Sequence, residues 1–279
     1  MHPLHRHIAI NNNADLTAYA PLIIDGRVLG FMHDEVEEAL KTSGLLRKTD
    51  DGYYLDAEEN FESRTAALKK ILAHLIQTGL ISHERHELYA VAENFGDEPL
   101  ALADRALMPK LGLAACGIHC NGYVRENGNI KLWVARRAPG IHVEPGKLDH
   151  IVAGGQPHGL SLRENLLKEA WEEAGIPKET AAKALAVGAL RYMRAEPLGL
   201  RRDTLFLFDL ELPPGFTPRN TDGEVSAFEL MTTADVRRLM EETDIFKFNV
   251  PLVITDFFIR HGLIEPDEPG YVQLIEALR

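Results

Sequence analysis

Apolar and polar residues alternate through Tyr19–Phe31, YAPLIIDGRVLGF, with Asp25-Gly26 between the two halves. That pattern predicts a hairpin with the Asp-Gly pair at its turn. His33–Leu45 changes to helical spacing, and Tyr53–Leu55 reads as a short strand. Arg64–Gln77 predicts a firmer helix, with Leu68, Leu72 and Leu75 on one side and Gly79 at its end. Leu88–Val91 suggests another strand, and the polar, His-rich residues 1–15 read as a loose terminus. The N-terminal region is thus expected to be a small α+β unit, and nothing in it has the spacing of a catalytic motif. Gly96–Lys110, with Pro99 and Pro109, marks the expected boundary between an accessory unit, 1–110, and a second domain, 111–279.

Beyond that boundary, Leu113–Val124 and Ile130–Arg136 predict two strands around Asn127-Gly128, again a hairpin turn. A loop over Ala138–Leu148 carries Pro139, Gly140, Pro145 and Gly146. Val187–Arg194 and Thr204–Leu212 read as strands, and Ala234–Glu242 as a helix. Val250–His261 is an apolar helix with Pro251 in its first turn and Gly262 at its end. Leu274–Arg279 closes with a short helix. No repeat or low-complexity tract interrupts this order, which fits an α/β sandwich around a mixed sheet.

The informative stretch is Gly154–Ile176, GGQPHGLSLRENLLKEAWEEAGI. Ser161 and Glu164 form the S-x-x-E signature of a capping box, Gly175 suits a left-handed C-terminal cap, and Pro177 stops the helix. Leu167, Ala170, Trp171 and Ala174 are expected to bury against a sheet. Glu169, Glu172 and Glu173 then fall within about a third of the helix circumference. Like charges at i,i+4 repel. A bound cation offsets that repulsion, and Mg²⁺ favours a few carboxylates together with substrate phosphates. Taken alone, an acidic helix is more often a solvated surface. The glycines before it and the E-E-x-G ending favour a metal–diphosphate site.

Composition narrows the alternatives. The 279 residues suffice for one large or two ordinary domains, and the net charge of −12 argues against nucleic acid and anionic membranes. No apolar run is long enough to span a bilayer and no signal-like segment is seen, so a cytoplasmic location is the expectation. Cys116 and Cys120, four residues apart on a strand, would lie about 13 Å apart, too far for a disulfide. The intervening His119 makes CGIHC a weak zinc motif with no second ligand pair.

Gly154–Ile176 resembles the Nudix box, G-x5-E-x7-R-E-U-x-E-E-x-G-U, where U is a bulky apolar residue. Gly154, Glu169, Glu172, Glu173, Gly175 and Ile176 match. Leu160 replaces the first glutamate, Lys168 the arginine, and Ala170 is a small U residue. Lys168 keeps the charge and can pair with Glu164 or Glu172 at i,i±4, but lacks the arginine fork. Further segments, KLDHIVAGGQPHGLS, GLRRDTLFLFDLELP, DGEVSAFELM and FNVPLVITDFFIRHGLI, look like Nudix proteins related to thiamine pyrophosphokinase. Those carry an extra N-terminal domain and usually have G-[IL]-S after GGQP. The resemblance implies a Nudix α/β/α sandwich behind a small α+β domain. It also implies a Mg²⁺-dependent diphosphatase, with Mn²⁺ as an alternative metal, acting on thiamine diphosphate or its oxidised analogues.

On this reading Glu169, Glu172 and Glu173 are the metal ligands, and Glu172 and Glu224 the catalytic carboxylates. Glu224 is chosen for its place before the next strand. Gly154, Gly155, Arg136, Arg137 and Arg202 are the candidate substrate contacts, with Arg136 and Arg137 on opposite faces of a strand. Trp133, Tyr192 and Phe206 could stack on a ring or simply fill the core. The expected partner is a small-molecule diphosphate, and a homo-oligomer is left open. Competing readings are a Nudix hydrolase of nucleotide sugars, dinucleotides or other diphosphates, an isomerase-like reaction needing a reactive cysteine, and a non-catalytic diphosphate-binding module.

Overall fold

The computed structural model describes residues 1–279. The chain opens with helix α1 (His5–Asn11), followed by β1 (Ala20–Ile24) and β2 (Arg27–Met32), joined at Asp25 and Gly26, both with positive φ. Helix α2 (Asp34–Lys41), β3 (Leu46–Thr49) and β4 (Gly52–Leu55) complete a four-stranded sheet in the order β2-β1-β4-β3. The long helix α3 (Phe61–Gln77) follows, capped by the Asn60 side chain, and then a two-stranded ribbon of β5 (Leu88–Val91) and β6 (Ala101–Asp104). Leu22, Met32, Leu68, Leu72, Leu75, Tyr89 and Ala101 share one buried cluster that runs on through α4 (Leu107–Lys110) to Leu113. Gly96–Lys110 is therefore core structure as well as connection: Ala101 and Ala103 on β6 are buried.

The second sheet is built from β7 (Ala114–Glu126), β8 (Asn129–Arg137), β9 (Leu148–His150) and β10 (Val152–Gly155), the elements that precede α5 (Leu162–Ala174). After α6 (Lys178–Ala181) come β11 (Leu185–Glu196), β12 (Gly199–Glu211), β13 (Val225–Thr232), α7 (Thr233–Glu242), α8 (Val250–Arg260) and α9 (Tyr271–Ala277). Strand order is β11-β12-β7-β8-β13, with β10 added to β7 and β9 to β8. The β12–β7 pairing is parallel and the others in this sheet are antiparallel, giving the mixed sheet expected. Side chains alternate between its faces. Leu205 and Leu207 of β12 join one cluster with α7, α8 and α9, while Phe208 and Leu210 join another with Leu166, Ala170 and Ala174 of α5.

The N-terminal residues are not a loose end. Leu4 and Ile8 of the first turns lie in the same cluster as Phe257, Leu274 and Leu278. His7 bonds the Met240 carbonyl through Nε2 at 2.7 Å, and the Asn11 side chain donates to Phe248 O at 2.7 Å. Two apolar residues one turn apart give too short a periodicity to announce a helix. Their surroundings are distant in sequence: α1 packs on β11, α8 and α9. No helix is long and apolar enough to cross a membrane.

Candidate active site

Helix α5 ends as its sequence requires. Ser161 Oγ accepts from Glu164 N, and the Glu164 carboxylate accepts from Ser161 N at 2.9 Å, closing the capping box. Gly175 is left-handed with φ 61°, and Ile176 N–H donates to Ala170 O at 2.9 Å. The helix is fastened to the glycine loop by two polar side chains. Asn165 Nδ2 donates to Gly155 O at 2.7 Å, and Glu173 accepts from Ala153 N at 2.7 Å. These bonds set the helix rotation. With Glu173 7% exposed and turned to the sheet, Trp171 two residues earlier points outward and is 52% exposed, contrary to the burial expected. Ala170 and Ala174 bury as expected, and Leu167 is half-buried.

The acidic face is solvated only at Glu172, with Glu173 buried and Glu169 nearly so. Burial raises the Glu173 carboxyl well above its ordinary range, and Glu169, Asp149 and Glu224 add to the effect. Burial also raises Glu169, against the opposing charge of Lys168. The Lys168 ammonium bridges Glu169 at 3.1 Å and Glu172 at 2.7 Å. It thus places positive charge where the carboxylate oxygens need it. Carboxylate oxygens are the donors that Mg²⁺ or Mn²⁺ takes, but those of Glu169, Glu172 and Glu173 are not gathered within 4.8 Å of one another in the way the ligand atoms of His119, Asp149 and His150 are.

The loop before β13 is tied to the end of the same helix. Arg219 N bonds Ala174 O at 2.9 Å and Thr221 N bonds Glu172 O at 3.0 Å. Glu224 N donates to the Asp222 carboxylate at 2.8 Å, and its carbonyl accepts from Ala138 N. Glu224 itself is exposed, close enough for its charge to act on Glu173.

The two glycines have sharper roles than leaving room for substrate. A Cβ at Gly154 would stand 2.6 Å from the Glu169 carboxyl carbon. One at Gly155 would stand 1.6 Å from the Tyr89 hydroxyl. Tyr89 comes from β5 in the first unit, where nothing in the sequence suggested a site. Its burial pushes the phenol above its ordinary range, so it is a neutral hydroxyl.

The arginines are distributed differently from expectation. Arg137 donates to Asp149 at 2.7 Å and to Val143 O at 3.0 Å, and its side chain is largely buried. Arg202 donates to Leu29 O at 2.9 Å and Gly112 O at 3.1 Å and lies over the Phe31 ring. Both join structural elements together, and Arg202 also borders the cavity described below. Arg136 donates to Gly146 O at 3.0 Å and keeps its other donors. Cys116 and Cys120 are free thiols, and burial pushes Cys116 up to about 11, which removes the reactive thiolate that an isomerase-like reaction would need.

A cavity of about 740 Å³ lies at the end of the sheet where β7 and β12 begin and β10 finishes. Tyr89, Phe95, Cys116, Asp203 and the loop Gln156–Leu160 line it, and the loop is bonded to β5 through His158 N and Leu88 O at 2.8 Å. Phe95, from the loop between β5 and β6, meets Phe206 with ring centroids 4.6 Å apart. Tyr192 also borders the cavity but is a buried core ring bonded to Asp203, and Trp133 packs on the α5 side of the sheet.

His119, Asp149 and His150 form a second group whose ligand atoms lie within 4.8 Å of one another. Asp149 is already paired with Arg137 and Lys247, and the two His Nδ1 atoms bond each other at 3.0 Å. Burial holds both imidazoles below their ordinary range, which keeps them neutral, and the positive charge at this group comes from Arg137 and Lys247.

Residues 3–115 match a family described as a domain of unknown function, DUF4743. The whole chain is similar to Nudix hydrolase 24, chloroplastic, of Arabidopsis thaliana, with 40% identity over 268 residues, 95% of this chain and 73% of that protein. The chain belongs to the Nudix hydrolase family. A second member from the same plant, Nudix hydrolase 20, chloroplastic, is 38% identical over 95% of this chain and 74% of its own length. Among solved structures, the MutT protein from Methanosarcina mazei Go1 aligns at 17% identity and a TM-score of 0.41, over 55% of this chain and 96% of that one. As a Nudix protein the chain is a diphosphate hydrolase. The expected cytoplasmic location is corrected by these relatives, since both plant proteins are named as chloroplastic.

Proposed function

We propose that this Nudix hydrolase cleaves the diphosphate of thiamine diphosphate or its oxidised analogues, releasing the monophosphate and phosphate. The observation that carries the reading is the cavity of about 740 Å³ lined by Phe95 and by the loop Gln156–Leu160 that directly follows the two glycines. That volume is of the size that takes small heteroaromatic ligands. Phe95 is half exposed, so its ring has a free face for stacking. Leu160, where the Nudix pattern has a glutamate, lines the same cavity and adds apolar contact.

Glu169, Glu172 and Glu173 are proposed to hold Mg²⁺ or Mn²⁺, with the chain's own Lys168 giving way or shifting to balance the charge. When bound, such an ion polarises phosphoryl oxygens and lowers the pKa of its water. Glu224, fixed by its loop to the end of α5, is assigned as the group that accepts a proton from the attacking water, with Glu172 as the second catalytic carboxylate. Gly154 and Gly155 keep the loop thin enough for Glu169 and Tyr89 to close on it. Arg136 retains donors for the substrate.

The test is phosphate and monophosphate release with and without Mg²⁺. The panel is thiamine diphosphate, oxo-thiamine diphosphate, ADP-ribose and NADH, with Glu172→Gln as the control. Metal-dependent turnover fastest on the thiamine compounds supports the proposal. Preference for a nucleotide compound replaces the substrate but leaves the metal site. Binding without turnover across the panel favours the non-catalytic module.

A further inference from the structure

Arg137 and Arg202 are engaged with other parts of the chain, while another arginine stands beside the glycine loop. We infer that Arg105, carried by the N-terminal unit, holds the substrate's diphosphate, so that this unit supplies part of the active site. The inference rests on the diphosphatase reading above.

Arg105 directly follows β6, and its backbone is fixed. Arg105 N donates to Glu87 O at 2.8 Å. The buried Asp104 carboxylate gathers the N–H groups of Arg85, His86 and Ala106 around the turn. The guanidinium itself is less constrained. Its Nη1 pairs with Glu87 at 2.8 Å, no other side chain or carbonyl holds it, and the side chain is 52% exposed. An exposed ion pair of this kind contributes little to stability. The arrangement leaves donors free in the fork that suits phosphate oxygens.

Its position is specific. The guanidinium carbon lies 3.5 Å from the point where a Gly155 Cβ would stand, next to the Tyr89 hydroxyl. The preceding glycine has the Glu169 carboxyl packed against it. The charge of Glu224 reaches Arg105, and that of Glu87 reaches Glu169. Arg105 is therefore a cation at the edge of the carboxylate cluster, where the non-metal end of a diphosphate needs neutralising. A chain of net charge −12 repels such a substrate elsewhere. Glu87 keeps the guanidinium pointed until phosphate oxygens displace it.

The experiment is calorimetric titration of the full chain with inorganic pyrophosphate in the presence of Mg²⁺, and with Mg²⁺ alone. Arg105→Ala should weaken pyrophosphate binding by at least about tenfold, the range expected for loss of a charge-assisted bond. Mg²⁺ affinity should hold within about twofold. Arg105→Lys keeps the charge but loses the fork, and should fall between the two; it carries the test if the alanine variant does not fold. Arg47→Ala removes the same charge from the four-stranded sheet and should bind as the parent does. Equal pyrophosphate affinity in Arg105→Ala and the parent would overturn the inference, as would an equal loss in Arg47→Ala. Absence of hydrolysis across the substrate panel would instead remove the reading beneath it.

Discussion

Gly155→Ala tests whether the first unit is locked into the glycine loop. The added methyl would stand 1.6 Å from the Tyr89 hydroxyl and 2.9 Å from the ring carbon that bears it. Ordinary contact requires the hydroxyl to retreat by about 2 Å. Tyr89 cannot retreat cheaply. Its ring is buried in a cluster with Leu68, Val91 and Leu113, and its backbone is paired to Ala103 in β6. Overpacking of this kind typically costs about 1–3 kcal/mol. For a protein of this size that lowers the midpoint by roughly 2–4 °C per kcal/mol. The assay is thermal and urea unfolding of the single variant, of Tyr89→Ala, and of the pair. Tyr89→Ala alone should cost about 3–5 kcal/mol through the cavity it leaves. Adding Gly155→Ala to it should cost nothing more, because the clash has gone. A single variant as stable as the parent, or strictly additive effects, would refute the argument. Gly154→Ala provides the contrast. Its methyl meets the end of the flexible Glu169 side chain, so it should disturb metal-dependent activity more than stability.

Other outcomes follow from the same geometry. Glu224→Gln should lower turnover by about 10²–10⁴ with unchanged unfolding, and near-normal turnover would exclude it as the proton acceptor. Arg202→Ala removes the donors to Leu29 O and Gly112 O and should cost about 1–3 kcal/mol. It should also separate the unfolding of the first unit from that of the second sheet, seen as non-coincident transitions by two probes. Burial alone would raise Asp209, but Arg260, Asn121 and His261 hold it below the ordinary carboxylate range. Its contribution is therefore present above the unfolded value of about 3.9 and lost as pH falls through the lower folded value. Asp209→Asn should flatten that acid limb in unfolding curves measured from pH 5 downward; an unchanged slope would count against it.

Local rules were legible in the sequence where neighbours in the chain decide the outcome. The Asp25-Gly26 turn, the Ser161–Glu164 box and the Gly175 cap are all set within a few residues, and each forms as expected. The rotation of α5 was not legible. Spacing placed Trp171 inside, whereas the bonds of Glu173 to Ala153 N and Asn165 to Gly155 O turn it out. The arginines could not be ranked for a similar reason. Arg137 is held by an aspartate on another strand and Arg202 by carbonyls of the first unit, contacts that no spacing encodes. Tyr89 was invisible because a strand tyrosine reads as core, and it is core; only the missing side chain at Gly155 shows where its hydroxyl goes.

The seating of α1 against α8 and α9 has a consequence for biosynthesis. Leu4 and Ile8 find their apolar neighbours among residues 250–278, and His2 reaches Glu268 across 266 positions. On the ribosome α1 is made before the helices it packs on, and domains assemble as their partners leave the tunnel. The first unit, whose cluster runs from Leu22 to Leu113, has all its parts much sooner. The order of burial thus differs from the order of translation: α1 completes its packing only after α8 and α9 have been made.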